Sequence, residues 1–164
     1  MPIGAARRSW ATWESRDSVD EHLIEEELIR DEGRRLKPYR DSMGKLSIGV
    51  GRNLDDKGIS EVECAMLLKN DIAEHLALLD KYLPWWRQLD EQRQRVIANM
   101  AFNMGIGPSA EHPTGKLLTF KNTLAAMERG DFAAAADGMG NSAWARQVGV
   151  RAARLVAMMR TGEA

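Results

Sequence analysis

Between residues 19 and 60 the hydrophobic pattern changes period, and that change restricts the fold more than any other feature of the chain. Leu23, Ile24 and Leu28 recur at helical spacing. Ser18 with Glu21 has the spacing of a capping box and Gly33 is a stop, so the pattern predicts a helix over residues 19–32. Leu46, Ile48 and Val50 then alternate with Lys45, Ser47 and Gly49. With residues 36–40 on the far side of Asp41, Ser42, Met43 and Gly44, that alternation predicts a small antiparallel hairpin.

Beyond a polar, turn-rich stretch over 53–58, only helical periods follow. Ser60 and Glu63 repeat the capping-box spacing ahead of Leu68, Ile72, Leu76 and Leu79, which predicts a long helix to about Lys81. Pro84 interrupts, and Asp90 caps a segment in which Val96, Ile97, Met100, Ala101 and Met104 make a broad apolar face, expected to be the most buried helix. Gly105, Gly107 and Pro108 end it, and residues 121–129, 131–139 and 150–160 read as short helices punctuated by glycine. The expected fold is α+β and predominantly helical. A small N-terminal antiparallel β-hairpin lobe (18–59) and a helical C-terminal lobe (82–164) are joined by a long helix (60–81), leaving a cleft of the kind that binds ligands. Residues 1–17, with Trp10 and Trp13 among Arg7, Arg8 and Arg16, read as an N-terminal extension.

Composition removes several function classes. The 164 residues are 44% hydrophobic, enough for a core. Twenty-three Lys and Arg against 24 Asp and Glu leave a net charge of -1, without the global field of a nucleic-acid or membrane-surface binder. Cys64 is the only cysteine, so the fold rests on packing rather than on an intrachain disulfide. No signal-peptide core or membrane-spanning stretch is visible, and the reading is a soluble protein made in the cytoplasm. His22, His75 and His112 are scattered, and Cys64 lies eleven residues before His75, so neither a zinc cluster nor a cysteine nucleophile with its base is suggested. No phosphate-binding glycine loop is present. Met100 and Met104 fall at core spacing rather than forming a partner groove.

Glu32 closes the first helix, Asp41 follows nine residues later in the hairpin turn, and Ser47 lies six further on in the second strand. A glycosidase needs a carboxylic acid to protonate the leaving oxygen and a carboxylate, or a water it holds, on the other face of the sugar. Glu32 and Asp41 are candidates for that pair; by spacing alone a helix-end Glu and a capping Asp explain them as well.

The run Asp31-Glu32-Gly33-Arg34-Arg35-Leu36-Lys37-Pro38-Tyr39-Arg40-Asp41, followed by Gly44 and Ser47-Ile48-Gly49-Val50-Gly51, resembles the phage T4-type lysozymes, glycoside hydrolase family 24 endolysins. In that family the pattern is Glu, eight residues, Asp, five residues, Thr, and Ser47 takes the Thr position. The resemblance continues through Ile59-Ser60, Asn70-Asp71, residues 99–105, Phe120, Trp144 and Arg160-Thr161-Gly162, covering about residues 24–162. It implies a lysozyme-like two-lobed fold and a muramidase hydrolysing the β-1,4 bond between N-acetylmuramic acid and N-acetylglucosamine of bacterial peptidoglycan, with no metal or other cofactor.

In that reading Glu32 is the general acid, kept protonated by partial burial, while Asp41 stays ionised and polarises a water that Ser47 helps to hold. A water between Asp41 and the sugar implies inversion at the anomeric carbon. Arg151 matches a family arginine that pairs with the catalytic glutamate. Arg52 replaces a family histidine and would pair with Asp71. Phe102, Asn103 and Thr123 match substrate-binding positions, whereas Asn53 and Gly138 stand where the family has Leu and Asn. The family's short tail is absent after Thr161-Gly162, and Trp10 and Trp13 would suit packing on the same surface. A phage or prophage monomer is expected, acting on the wall after a holin permeabilises the membrane, without nucleic acid or stable membrane association. Two alternatives stay open: a catalytically weak or inactive peptidoglycan-binding or regulatory protein, and a lytic transglycosylase, against which Asp41 and Ser47 argue.

Overall fold

The computed structural model describes residues 20–164. The chain divides into two compact units, Met1–Ser60 and Glu61–Ala164. Described side by side, they give a predominantly helical α+β protein with one small antiparallel sheet, as the change of period predicts. The division falls just ahead of the long helix, which belongs to the second unit.

In the first unit, α1 (Glu21–Glu32) starts at Asp20, whose Oδ1 accepts from the backbone N–H of His22 (3.0 Å) and Leu23 (3.3 Å). The N-cap is therefore Asp20, two residues inside the expected start; Ser18 lies outside the described residues. Aspartate is as good a cap as serine, and it satisfies two of the free amides of the first turn. Gly33 ends the helix with φ 74°, its N–H donating to Ile29 O.

The sheet has three strands where the pattern predicts two: β1 (Arg35–Arg40), β2 (Leu46–Gly49) and β3 (Arg52–Asn53), in that order and all antiparallel. Ser47 on the central strand pairs with Tyr39 on one side and Asn53 on the other. The β1–β2 register shifts between Arg35 and Tyr39, the stretch that contains Pro38. Proline has no N–H to give the ladder and is tolerated at such irregularities. β3 lies at the start of the stretch read as turn, and two residues are too short to show alternation.

The second unit holds α2 (Glu61–Tyr82), a 3-10 turn over Pro84–Gln88, α3 (Glu91–Met104), a shorter 3-10 turn over Leu117–Thr119, α4 (Lys121–Glu128), α5 (Phe132–Gly140), α6 (Ala143–Val148) and α7 (Val150–Thr161). Asp90, Asp131 and Ser142 cap α3, α5 and α6 through their side chains. α6 is missing from the sequence reading because six residues between a serine cap and Gly149 are too few for a period. Val96, Ile97, Met100 and Ala101 of α3 are buried, and α5 packs against α4 and α7 around Met127, Met139, Leu155 and Met159. On α2 only Leu79 is buried; Leu68 and Ile72, expected on its inner face, are exposed. Among the described residues no helix is long and apolar enough to cross a membrane.

Candidate active site

Within the first unit the chain brings Glu32, Asp41 and Ser47 onto one helix end and one small sheet. Glu32 is the last residue of α1, and its carboxylate lies against the turn between β2 and β3. A Cβ placed on Gly51 in that turn would stand 3.4 Å from Glu32 Oε2. Gly51 has φ 69°, which only glycine adopts cheaply, so the turn requires it, whereas a Cβ there would make only ordinary van der Waals contact with the Glu32 carboxylate. Glu32 is itself exposed in the structure, so the partial burial expected to keep it protonated is not found there.

Asp41 follows β1 directly and is half-buried. Its backbone N–H donates to Lys45 O (2.9 Å), and its Oδ1 accepts from the N–H groups of Met43 and Lys45, both at 2.9 Å. The turn therefore fixes the carboxylate from within. Both bonds fall on Oδ1, so Oδ2 keeps its lone pairs for another partner. The turn is braced from outside as well. Lys45 Nζ donates to Asp56 Oδ1 (2.8 Å), Leu46 N–H donates to Asp55 Oδ2 (2.9 Å), and Asn53 Nδ2 donates to Asp56 Oδ2 (2.8 Å). The Lys45 ammonium holds the Asp56 carboxyl below the usual carboxylate range, and Asp56 raises Lys45 in turn. Sequence reasoning passed over these braces, because two adjacent aspartates in a polar turn carry no periodic signal.

Ser47 is 2% exposed, whereas Leu46 and Ile48 are only half-buried and Val50 is exposed. Of the two alternating sets, the buried side chain is the serine and not the aliphatic residues. Ser47 lies on the central strand, paired with Tyr39 on one side and Asn53 on the other. Arg52 begins β3 and donates from Nη1 to Gly58 O (3.4 Å).

In the second unit, Arg151 donates from Nε to Asn99 Oδ1 (2.9 Å) and from Nη2 to Asn99 O (3.4 Å). Both residues line a cavity of about 410 Å³ with Arg95, Phe102, His75 and Ile72. Phe102 is 40% exposed, its ring centroid 5.2 Å from that of His75. Asp71 is exposed on α2, and its carbonyl accepts from His75 Nδ1 (2.7 Å). Asn103 Oδ1 accepts from the indole N–H of Trp144 (2.7 Å), and both line a cavity of about 620 Å³ with Phe120 and Lys116. Thr123 is buried, and a Cβ on Gly138 would meet its Oγ1 at 2.3 Å. Asn99 and Trp144 belong to the runs that carry the resemblance; their partnership with Arg151 and Asn103 needed coordinates. Among the described residues no three His, Cys, Asp or Glu side chains form a group able to hold a metal ion.

The family model for phage lysozyme matches residues 30–160, which includes Glu32, the whole sheet and nearly all of the second unit. The chain belongs to the phage lysozyme family. Among its relatives are two probable T4-type lysozymes of Dictyostelium discoideum. One is 28% identical over 85% of this chain and 94% of its own length, and the other is 25% identical over the same shares. The pre-baseplate central spike protein Gp5 of Enterobacteria phage T4 is 28% identical over 84% of this chain, which spans 27% of that longer protein. Membership in this family places the chain among lysozyme-type glycosidases, with peptidoglycan as the substrate class at family level.

Proposed function

We propose that this chain is a muramidase that hydrolyses the β-1,4 bond between N-acetylmuramic acid and N-acetylglucosamine, with Glu32 as general acid and Asp41, assisted by Ser47, positioning the attacking water. The observation that carries the reading is the placement of the Glu32 carboxylate against Gly51, in the sheet whose first turn holds Asp41 and whose central strand holds Ser47. Glu32 gives its proton to the leaving glycosidic oxygen as the C–O bond breaks. Asp41 Oδ2 takes a proton from the water that attacks the anomeric carbon, from the face opposite the leaving group, so the configuration inverts. Phe102, Asn103 and Thr123 are assigned to substrate, and Arg151, Arg52 and Asp71 to support. The protein works as a monomeric phage endolysin that reaches the wall after a holin opens the inner membrane.

Mass spectrometry of muropeptides released from purified peptidoglycan tests this reading. Hydrated reducing-end products from the wild type, absent with Glu32→Gln and Asp41→Asn, are expected, with the α-anomer seen first by NMR. A 1,6-anhydro product would instead establish a lytic transglycosylase. Binding without cleavage would establish a wall-binding or regulatory protein.

A further inference from the structure

Asn53, Asp55 and Asp56 take no part in the proposed reaction, yet their bonds lead to both residues that would hold its water. Asn53 and Asp56 first close their own turn. Asn53 Nδ2 donates to Asp56 Oδ2 (2.8 Å) and Asn53 Oδ1 accepts from the Asp56 N–H (3.0 Å), so both ends of the carboxamide are engaged inside the turn. Asn53 stands where the family has Leu, whose side chain could make neither bond.

Two carboxylates then cross from this turn to the one that carries Asp41. Asp56 Oδ1 accepts from Lys45 Nζ (2.8 Å), and Asp55 Oδ2 accepts from the Leu46 N–H (2.9 Å). Lys45 is the residue whose main chain clasps Asp41: its N–H donates to Asp41 Oδ1 and its carbonyl accepts the Asp41 N–H, both at 2.9 Å. Asp56 thus holds the side chain, and Asp55 the next amide, of the residue that holds Asp41. The same turn reaches Ser47, because Leu54 N–H donates to Leu46 O (2.7 Å) and Asn53 pairs with Ser47 between β3 and β2. Solvent screens the Lys45–Asp56 pair, whose side chains are 45% and 61% exposed, so what these bonds contribute is direction more than energy.

We infer that Asn53, Asp55 and Asp56 form a positioning element for the attacking water, fixing the spacing between Asp41 and Ser47 while touching neither substrate nor water themselves. The inference rests on the muramidase reading, which gives the water to those two residues; the bonds themselves do not. Alignment of an attacking group is costly to lose, a misplacement of about 1 Å lowering the rate by about a hundredfold. The residues assigned to substrate, Phe102, Asn103 and Thr123, belong to the second unit, so loosening this turn falls on kcat and leaves KM in place.

The test compares the full chain with Asp55→Ala, Asp56→Ala and Asp55→Asn on soluble peptidoglycan fragments, while NMR follows the Met43 and Lys45 amide protons, which bond to Asp41 Oδ1. Asp55→Ala is expected to lower kcat about tenfold at unchanged KM, a smaller displacement than the full ångström, and to shift both amides. Asp55→Asn, whose side-chain carbonyl still accepts from Leu46, should recover most of the loss. A purely structural role would lower the melting temperature and leave kcat per folded molecule unchanged, and that result would overturn the inference. A raised KM with kcat held would overturn it too, by making these residues substrate contacts. If Asp55→Ala does not fold, Asp56→Ala carries the same comparison with the Leu46 bond intact. Peptidoglycan left uncut by the wild type would overturn the muramidase reading and this inference together; cleavage by the wild type with unchanged kcat in the variants would overturn the positioning element alone.

Discussion

The Oε2 of Glu32 lies 3.4 Å from the point where Gly51 would carry a Cβ. The proposed acid is thus seated against a residue that has no side chain, and the same residue needs the left-handed backbone that glycine permits, φ 69°.

Gly51→Ala is expected to cost about 1–2 kcal/mol in backbone strain and, because relief of that strain moves the turn against which Glu32 lies, to lower peptidoglycan turnover about tenfold. Gly58→Ala is the control. Its φ is 61° and nothing lies within 4 Å of the added Cβ, so it should lose similar stability and keep its turnover. Equal activity in the two variants would show that contact with Gly51 does not set the position of Glu32.

The Lys45–Asp56 pair gives a signed pH dependence. Its hydrogen bond to Lys45, reinforced by that ammonium charge and by Asn53, lowers the Asp56 pKa in the folded state. Its contribution is therefore present above the unfolded value and is lost as pH falls through the folded value. Carboxyl NMR should show Asp56 titrating below an ordinary aspartate, and Lys45→Ala should return it to the ordinary range. An unchanged midpoint in Lys45→Ala would mean that the pair does not brace the turn.

Trp144 is 7% exposed, and its indole N–H has Asn103 Oδ1 as partner. Asn103→Ala leaves that donor unpaired and should cost about 1–3 kcal/mol in urea unfolding, whereas Asn103→Ala combined with Trp144→Phe should cost less than the sum of the two changes. Additive losses would mean that the bond contributes nothing.

Arg93 ties the start of α3 to the end of α7. It donates to Met159 O (2.8 Å) and Arg160 O (3.2 Å), pairs with Asp90 (2.6 Å) and lies 3.7 Å over the Phe132 ring. Arg93→Ala should destabilise the helical unit by about 2–3 kcal/mol, with little change in kcat for the molecules that stay folded. Arg93→Lys should recover only part of the loss, because an ammonium lacks the planar fork.

Much of this was legible in residues 24–162. Gly33 and Gly105 end helices, Asp90 caps one, and the apolar face of α3 is buried at Val96, Ile97, Met100 and Ala101. Element ends read less well. Asp20 replaced Ser18 as cap because both lie at the edge of the apolar stripe and either side chain can do the work. The burial of Ser47 was not legible, because alternation marks the two faces of a strand without saying which is covered, and the third strand is itself too short to be seen. Asp55 and Asp56 reach back nine and eleven positions to Leu46 and Lys45, and no local pattern marks the aspartates of one turn as partners of another.

The buried apolar residues run from Leu79 to Met159, all in the helical unit, while Ser47 is the sole buried residue among those described in the first. The carboxylates proposed for catalysis thus ride on a platform held by turn hydrogen bonds rather than by an oily interior of its own. Such a platform opens locally well before the molecule melts. Amide exchange should be faster through the first unit, Asp41 and Ser47 included, than in the buried helices of the second, and on warming, bond cleavage should cease while most of the helical signal persists.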